Sequence, residues 1–195
     1  MERATLEPDA TAEPFEATIM WLVHNHVPQS LGGFFDIVTL SGSARFLVPV
    51  CVLTVMVLLV ARRRVEALLM AASMVTAPLA VYALKSAFGR LRPALWEASS
   101  YYWGSSFPSG HTLGTAAFAF AAVLCAARIW PQRRGLVALG TGFAILWISA
   151  VALSRLVLGV HWPTDVLAGM AVGVVIPLFF SRLIDMHQRK PVETK

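Results

Sequence analysis

Residues 46–61 read FLVPVCVLTVMVLLVA, sixteen positions without one charged side chain. As an α-helix this stretch would rise about 24 Å. That falls a little short of the roughly 30 Å hydrocarbon core of a bilayer, so it would span with little tilt or some local thinning. Pro49 would count against a helix in water, but membrane bundles tolerate such prolines, and the same holds for Pro78 further along. Working outward, the chain repeats the pattern at 65–87, 109–130, 135–155 and 164–184, each near the ~20 residues that a crossing needs. The predicted fold class is therefore all-α: an integral membrane helical bundle with five transmembrane helices. The composition agrees, with 57% hydrophobic and only 14% charged residues over 195 positions. A soluble domain carries about a quarter charged residues, so that class is excluded.

The segments before residue 46 differ in kind. Residues 1–14 form a polar, acidic tail without the basic-then-apolar pattern of a cleaved signal, so membrane insertion is expected to rest on the internal spans. Over 15–40, Phe15, Ile19, Leu22 and Val23 recur at helical spacing, as do Leu31, Phe34, Phe35 and Val38. His24, Asn25, His26, Pro28, Gln29 and Asp36 stand among them. This is too polar to span, and two short amphipathic helices lying in the interface are expected, not a sixth crossing. His24 and His26 point to different faces of a helix, which disfavours a metal site. The expected division is a tail at 1–14, interfacial helices at 15–40, a transmembrane core at 41–187 and a cytoplasmic tail at 188–195. Cys51 and Cys125 sit inside apolar runs at different depths and are expected to be buried thiols, neither paired nor metal-bound.

The net charge of +5 does not point to nucleic acid, because the basic residues sit at the ends of apolar runs instead of forming one patch. Their sidedness gives an orientation. Arg62, Arg63, Arg64, Arg128, Arg133, Arg134, Arg182, Arg189, Lys190 and Lys195 fall on one side; Arg3, Arg45, Lys85, Arg90, Arg92 and Arg155 fall on the other. Ten against six makes the first side cytoplasmic under the positive-inside rule. The C-terminus is then expected inside.

The chemistry-bearing residues gather on the opposite, outward side. Lys85 closes one helix; Arg90, Arg92 and Pro93 follow in a loop. Ser109, Gly110 and His111 open the next upward helix, Ser154 and Arg155 end another, and His161, Pro163 and Asp165 begin the last. Four helices of alternating direction must agree for this to happen. Lys85, Arg92 and Arg155 suit an anionic tetrahedral group, since arginine binds phosphate oxygens bidentately. Ser109 and the Gly110 amide lie at a helix N-terminus, where free N–H groups and the dipole favour an anion, and glycine permits close approach. His111 and His161 can supply one proton donor and one nucleophile. Asp165, four residues after His161, can fix the imidazole tautomer.

KSAFGRLRP (85–93), PSGH (108–111) and SRLVLGVHWPTD (154–165) together resemble the three signature motifs of the type 2 phosphatidic acid phosphatase superfamily, K-x6-RP, PSGH and SR-x5-H-x3-D, without a substitution. The resemblance runs from about residue 46 to 185. It implies a helical-bundle lipid phosphatase working without a metal or other cofactor. It also implies phosphoryl transfer to His161, protonation of the leaving oxygen by His111, and a phosphate cradle of Lys85, Arg92, Ser109, Gly110 and Arg155. Many bacterial members have six spans where five are predicted here, which leaves the role of 15–40 open; that segment is expected to lie beside the site and shape lipid access.

Short loops leave no soluble domain to grip a large polar substrate. The expected partners are therefore membrane lipids and a lipid phosphate or diphosphate: undecaprenyl diphosphate, phosphatidylglycerophosphate, phosphatidic acid or a lipid A phosphate. The expected setting is a bacterial-type inner membrane with the site facing outward, and the oligomeric state stays open. Vanadium haloperoxidases share the motif geometry but are soluble, and a non-catalytic lipid binder or transporter would not need nucleophile, acid and orienter together. Arg90 stands outside the motif positions, as an interfacial cation or a phosphate contact. Trp96, Tyr101, Tyr102, Trp103 and Trp162 are expected to form an aromatic interfacial belt. Gly169 and Gly173 form a GxxxG packing contact, within the bundle or between protomers. A reporter active only outside the cytoplasm, fused after Lys195, is expected to be silent; strong activity would reverse the orientation.

Overall fold

The computed structural model describes residues 14–96 and 104–188. Its helices are α1 (Pro14–His26), a 3-10 turn (Gln29–Leu31), α2 (Gly32–Ser41), α3 (Ala44–Val60), α4 (Arg64–Phe88), α5 (Gly110–Ile129), α6 (Arg134–Val157) and α7 (Pro163–Gln188). Among the described residues, five stretches are long and apolar enough to cross a membrane: Gly32–Val60, Arg64–Phe88, Gly110–Ile129, Arg134–Val157 and Pro163–Gln188. Pro49, Pro78 and Pro177 lie inside their helices.

The first of these differs from the expected 46–61. It takes in α2, across a break where Ser43 is extended (φ −79°, ψ 156°). Asp36 and Arg45 are the only charges in its 29 residues, and its most apolar 18-residue stretch has a mean hydropathy of 2.3. The segment expected to hold two short amphipathic helices thus forms α1 and α2, and α2 runs on into the first candidate stretch by length and composition.

The bundle is organised around α5. Half of its most apolar stretch is buried, against 11% for the first span. Each of the three packed clusters uses α5: Phe118 and Ala121 with Leu47 and Met70, Leu113 and Ala117 with Ala77 and Ile176, and Ala116 and Ala119 with Ala144 and Ile148. The α5 face is small (Gly114, Thr115, Ala116, Ala117, Ala119, Ala121), so neighbouring backbones can approach. That is how helices associate where lipid is as apolar as leucine and the hydrophobic effect gives no preference. The outer helices turn large apolar side chains outward instead. Val60, Leu139, Tyr82 and Ile37 are each more than 70% exposed, a surface suited to lipid.

The GxxxG pair lies inside the bundle. A Cβ on Gly169 would stand 2.8 Å from the Ser109 carbonyl oxygen, and one on Gly173 would stand 2.5 Å from the Leu113 oxygen and 2.6 Å from Ala116 Cβ. These contacts seat α7 on α5, in the register that places Asp165 beside Ser109. At the far end of the cluster, α6 closes through Gly159 in the left-handed region (φ 68°), with the Trp96 indole packed where a side chain would be.

The aromatic belt needs correction. Trp162 is fully buried, and its indole N–H donates to the Leu91 carbonyl at 3.0 Å. The fixed turn between α6 and α7 encloses it, so it stabilises the turn and does not meet the interface. Trp96 stacks on His24 with ring centroids 4.2 Å apart. Tyr101, Tyr102 and Trp103 lie outside the described residues. Cys51 and Cys125 are free thiols. Replacing Gly173 with alanine is expected to cost about 1–3 kcal/mol by overpacking, read as a lower melting temperature in detergent; an unchanged melt would contradict the close α5–α7 seat.

Candidate active site

The site is built where α4, α5, α6 and α7 reach the same end of the bundle. Helix α4 delivers Lys85 in its last turn and stops at Gly89, whose left-handed backbone (φ 59°) lets the chain reverse at once. The strand of chain that follows lies along 104–106: Ser106 N–H donates to the Arg90 carbonyl at 2.7 Å, and Lys85 Nζ donates to the Ser105 carbonyl. Arg92 is thereby aimed at the turn after α6. Its Nε donates to the Gly104 oxygen at 3.1 Å and its Nη1 to the Val160 oxygen at 2.8 Å, with His161 Nε2 at 3.4 Å from the same Nη1.

His161 is held on both sides. Its Nδ1 lies 3.5 Å from Asp165 Oδ2, an ion-pair distance that the four-residue spacing around Pro163 sets. Because a guanidinium can only donate, Arg92 favours the tautomer with the lone pair on Nε2 and the proton on Nδ1, facing the carboxylate. Burial pushes the imidazole from the ordinary 6.5 down to about 4; the charges of Arg155 and Arg92 push the same way, and the hydrogen bond to Asp165 opposes them. The site therefore holds a neutral imidazole whose Nε2 lone pair faces Arg92.

Asp165 is fully buried and heavily committed. Oδ2 accepts from the Ser106 hydroxyl and from the Trp162 amide at 2.8 Å, and Oδ1 accepts from Arg90 Nη1 at 2.9 Å. Its own carbonyl accepts the Ser109 amide at 3.0 Å, which ties the start of α5 to the start of α7. The Ser109 hydroxyl pairs with Thr112 Oγ1 at 3.0 Å. Of the expected cradle at this helix start, the Ser109 amide is thus already used. The amides of Gly110, His111 and Thr112 precede the first intrahelical bond, which Leu113 makes, so they retain the anion-binding character of a helix N-terminus. An added Cβ at Gly110 would meet only Val81, at 3.5 Å, so no close protein contact demands glycine there.

His111 stands within electrostatic range of Arg155, His161, Arg92 and Lys85. Arg155 is fully buried at the end of α6 and donates to Thr39 Oγ1 of α2. The structure thus gathers all eight expected residues at one place: His161, His111 and Asp165, with Lys85, Arg92, Ser109, Gly110 and Arg155. It also adds residues that spacing did not mark. Arg90 and Ser106, both from the loop between α4 and α5, bind Asp165, and Thr39 of α2 binds Arg155, while Glu16 of α1 and Thr164 of α7 bind Arg90. Arg90 binds Asp165, Thr164 and Glu16 and lies 5.6 Å from the Trp162 ring centre. Among the described residues no three His, Cys, Asp or Glu side chains gather in a metal-binding arrangement, and His24 is occupied by its stack on Trp96.

A groove of about 420 Å³ runs between α3, α4 and α5 to this cluster. Leu47, Val48, Met74 and Val81 line its length, and Lys85 and His111 stand at its end. An apolar chain with an anionic head would match that polarity.

Residues 66–189 match the model of the PAP2 superfamily. Over 69 residues, 35% of this chain, the sequence is 39% identical to phosphatidylglycerophosphatase B of Escherichia coli (strain K12). Over 85 residues, 42% of this chain, it is 35% identical to undecaprenyl-diphosphatase BcrC of Bacillus subtilis (strain 168). The matched stretches span 25% and 37% of those two proteins. In fold, the chain is similar to the PAP2-type phosphatidylglycerolphosphate phosphatase of Bacillus subtilis: TM-score 0.80, 24% identity, 92% of this chain and 88% of that one. It is also similar to LpxE of Aquifex aeolicus, with TM-score 0.68, 21% identity, and 87% and 96% coverage.

The lowered pKa of His161 has a direct readout. A histidine with its ordinary value is mostly protonated at pH 5.5, whereas one displaced to about 4 is not. Histidine-labelled protein in detergent is expected to show His161 neutral at pH 5.5 by NMR, protonated on Nδ1; an imidazolium at that pH would overturn this account of the site.

Proposed function

Since the chain belongs to the PAP2 superfamily, we propose that it is a membrane lipid phosphatase, hydrolysing a lipid phosphate monoester or diphosphate through a phosphohistidine at His161. The observation that carries this reading is the line Asp165–His161–Arg92. A buried carboxylate and a guanidinium grip one neutral imidazole from opposite sides, so that Nε2 faces the Arg92 cation expected to bind the phosphate.

In the first step His161 Nε2 attacks phosphorus. The bond from phosphorus to the leaving oxygen breaks as the P–N bond forms, and His111 gives its proton to that oxygen. Asp165 stabilises the positive ring so produced, which is the role of a carboxylate behind a catalytic imidazole. In the second step His111, now neutral, takes a proton from water. The water oxygen attacks phosphorus, the P–N bond breaks, and inorganic phosphate leaves with His161 restored. Charge spreads over three equatorial oxygens in such a transfer, and Lys85, Arg92, Arg155 and the first amides of α5 supply fixed positive character around it.

The substrate class follows from the groove. Its apolar walls and its cationic end suit a lipid whose tail stays in the bilayer while the headgroup reaches His111. The named relatives act on phosphatidylglycerophosphate and undecaprenyl diphosphate, both of this form. Undecaprenyl diphosphate best suits an outward-facing site in a bacterial-type inner membrane, the side to which the count of lysines and arginines assigns the cluster.

Purified protein is expected to release phosphate from one or more of undecaprenyl diphosphate, phosphatidylglycerophosphate, phosphatidic acid and a lipid A phosphate, with chelator present. Release from none would refute the phosphatase reading, and loss of release on chelation would refute the metal-free mechanism. His161→Ala is expected to lower turnover by at least about a thousandfold; full activity would remove it as nucleophile.

A further inference from the structure

Glu16 is the unexpected acid of this fold. It sits in α1, outside the three motifs, yet it is 1% exposed, and both of its oxygens are committed. Oε2 accepts from Arg90 Nη2, while Oε1 accepts from the Thr164 amide at 3.2 Å and the Thr164 hydroxyl at 2.6 Å. Arg90 then reaches past Thr164, whose hydroxyl oxygen accepts its Nη1 at 2.6 Å, to Asp165 Oδ1 at 2.9 Å. The row is carboxylate, guanidinium, carboxylate, imidazole, with donors and acceptors alternating correctly.

We propose that Glu16 and Arg90 are positioning residues for His161, a relay through Asp165 that makes α1 part of the working site. The proposal rests on the phosphatase reading above. A simple staple between α1 and α7 would need only Glu16 and Thr164. The relay adds a cation that binds the same carboxylate that orients the imidazole, so a charge change at residue 16 or 90 alters what His161 faces. Arg90 fixes the Asp165 carboxylate plane and offsets part of its charge; Glu16 in turn offsets Arg90. Buried charges of this kind are costly unless paired, so each member depends on the next.

The signs are opposite for the two members, which separates the relay from a packing role. His161 is faced by Arg92 from the loop after α4, His111 from α5, Arg155 from α6 and Asp165 from α7, with Lys85 of α4 close to Asp165 and Arg92. Asp165 is the one carboxylate in that set. Removing Arg90's charge leaves Asp165 more negative toward the ring, and its protonated form gains. Removing Glu16's charge leaves Arg90 uncompensated, and the protonated form loses.

The test measures kcat and KM against pH for the full chain in detergent, using the lipid phosphate that the wild type hydrolyses. Arg90→Met is expected to move the acid limb of kcat/KM up by about half a pH unit and Glu16→Gln to move it down by about the same. Arg90→Lys, which keeps the charge, is expected to leave it near the wild-type position. Turnover in the first two variants is expected to fall about tenfold or more while KM stays within about twofold, because neither residue touches the phosphate. His161 NMR titrations of the same unliganded proteins are expected to shift in the same two directions. In variants whose melting temperature shows them folded, limbs and titrations that coincide with wild type, or that move together, would overturn the relay. So would a loss residing in KM. A wild type that releases no phosphate would sink the phosphatase reading instead, and the NMR titrations alone would then decide whether the relay exists.

Discussion

The buried carboxylate of Asp165 is the constraint on which the rest of the site depends. A charge removed from water is stable only if every oxygen is matched. Here the matching groups come from four places: the Ser106 hydroxyl, the Trp162 amide, the Arg90 guanidinium and the His161 ring. Satisfying Asp165 therefore places the chain after α4, the turn after α6 and the start of α7 together. Its carbonyl takes the Ser109 amide and adds the start of α5. The same hydrogen bonds that make the charge tolerable assemble the proposed nucleophile, its orienter and the anion-binding helix start.

Below this polar end, packing rather than burial from water holds the bundle. Helix α5 is nearly all small residues at its contacts, and Gly169 and Gly173 let α7 approach it until a single methyl would collide. The precision of that seat passes to the site, because Ser109 and Asp165 stand at the first turns of the two helices concerned. The large side chains face outward, where lipid replaces water as the medium and exposure carries no penalty.

Helix α1 inverts the usual reading of an amphipathic helix. Phe15, Ile19 and Leu22 face outward, and the acid Glu16 and Met20 turn inward. With a polar cluster to dock on one side and lipid on the other, this orientation satisfies both faces. The expectation that the N-terminal segment lies beside the site is met by α1 in a more intimate way, by a carboxylate inserted next to Thr164 and Arg90.

What the sequence by itself determined was the class of fold and the candidates for the site. Apolar runs of bilayer length count the spans, their alternation puts the ends of four helices on one face, and the resemblance of three short motifs to the PAP2 signatures proposes His161, His111, Asp165 and the cations. These are local properties, carried by run length and by separations within a turn or two. Only the tertiary structure decided the partners of Glu16 and Arg90, the burial of Trp162 and the internal seat of Gly173. Glu16 and Thr164 are 148 residues apart in the chain. No local period encodes which face of α1 turns inward or how deep α7 sits on α5. Those follow from how small residues and buried charges pack when all the helices meet.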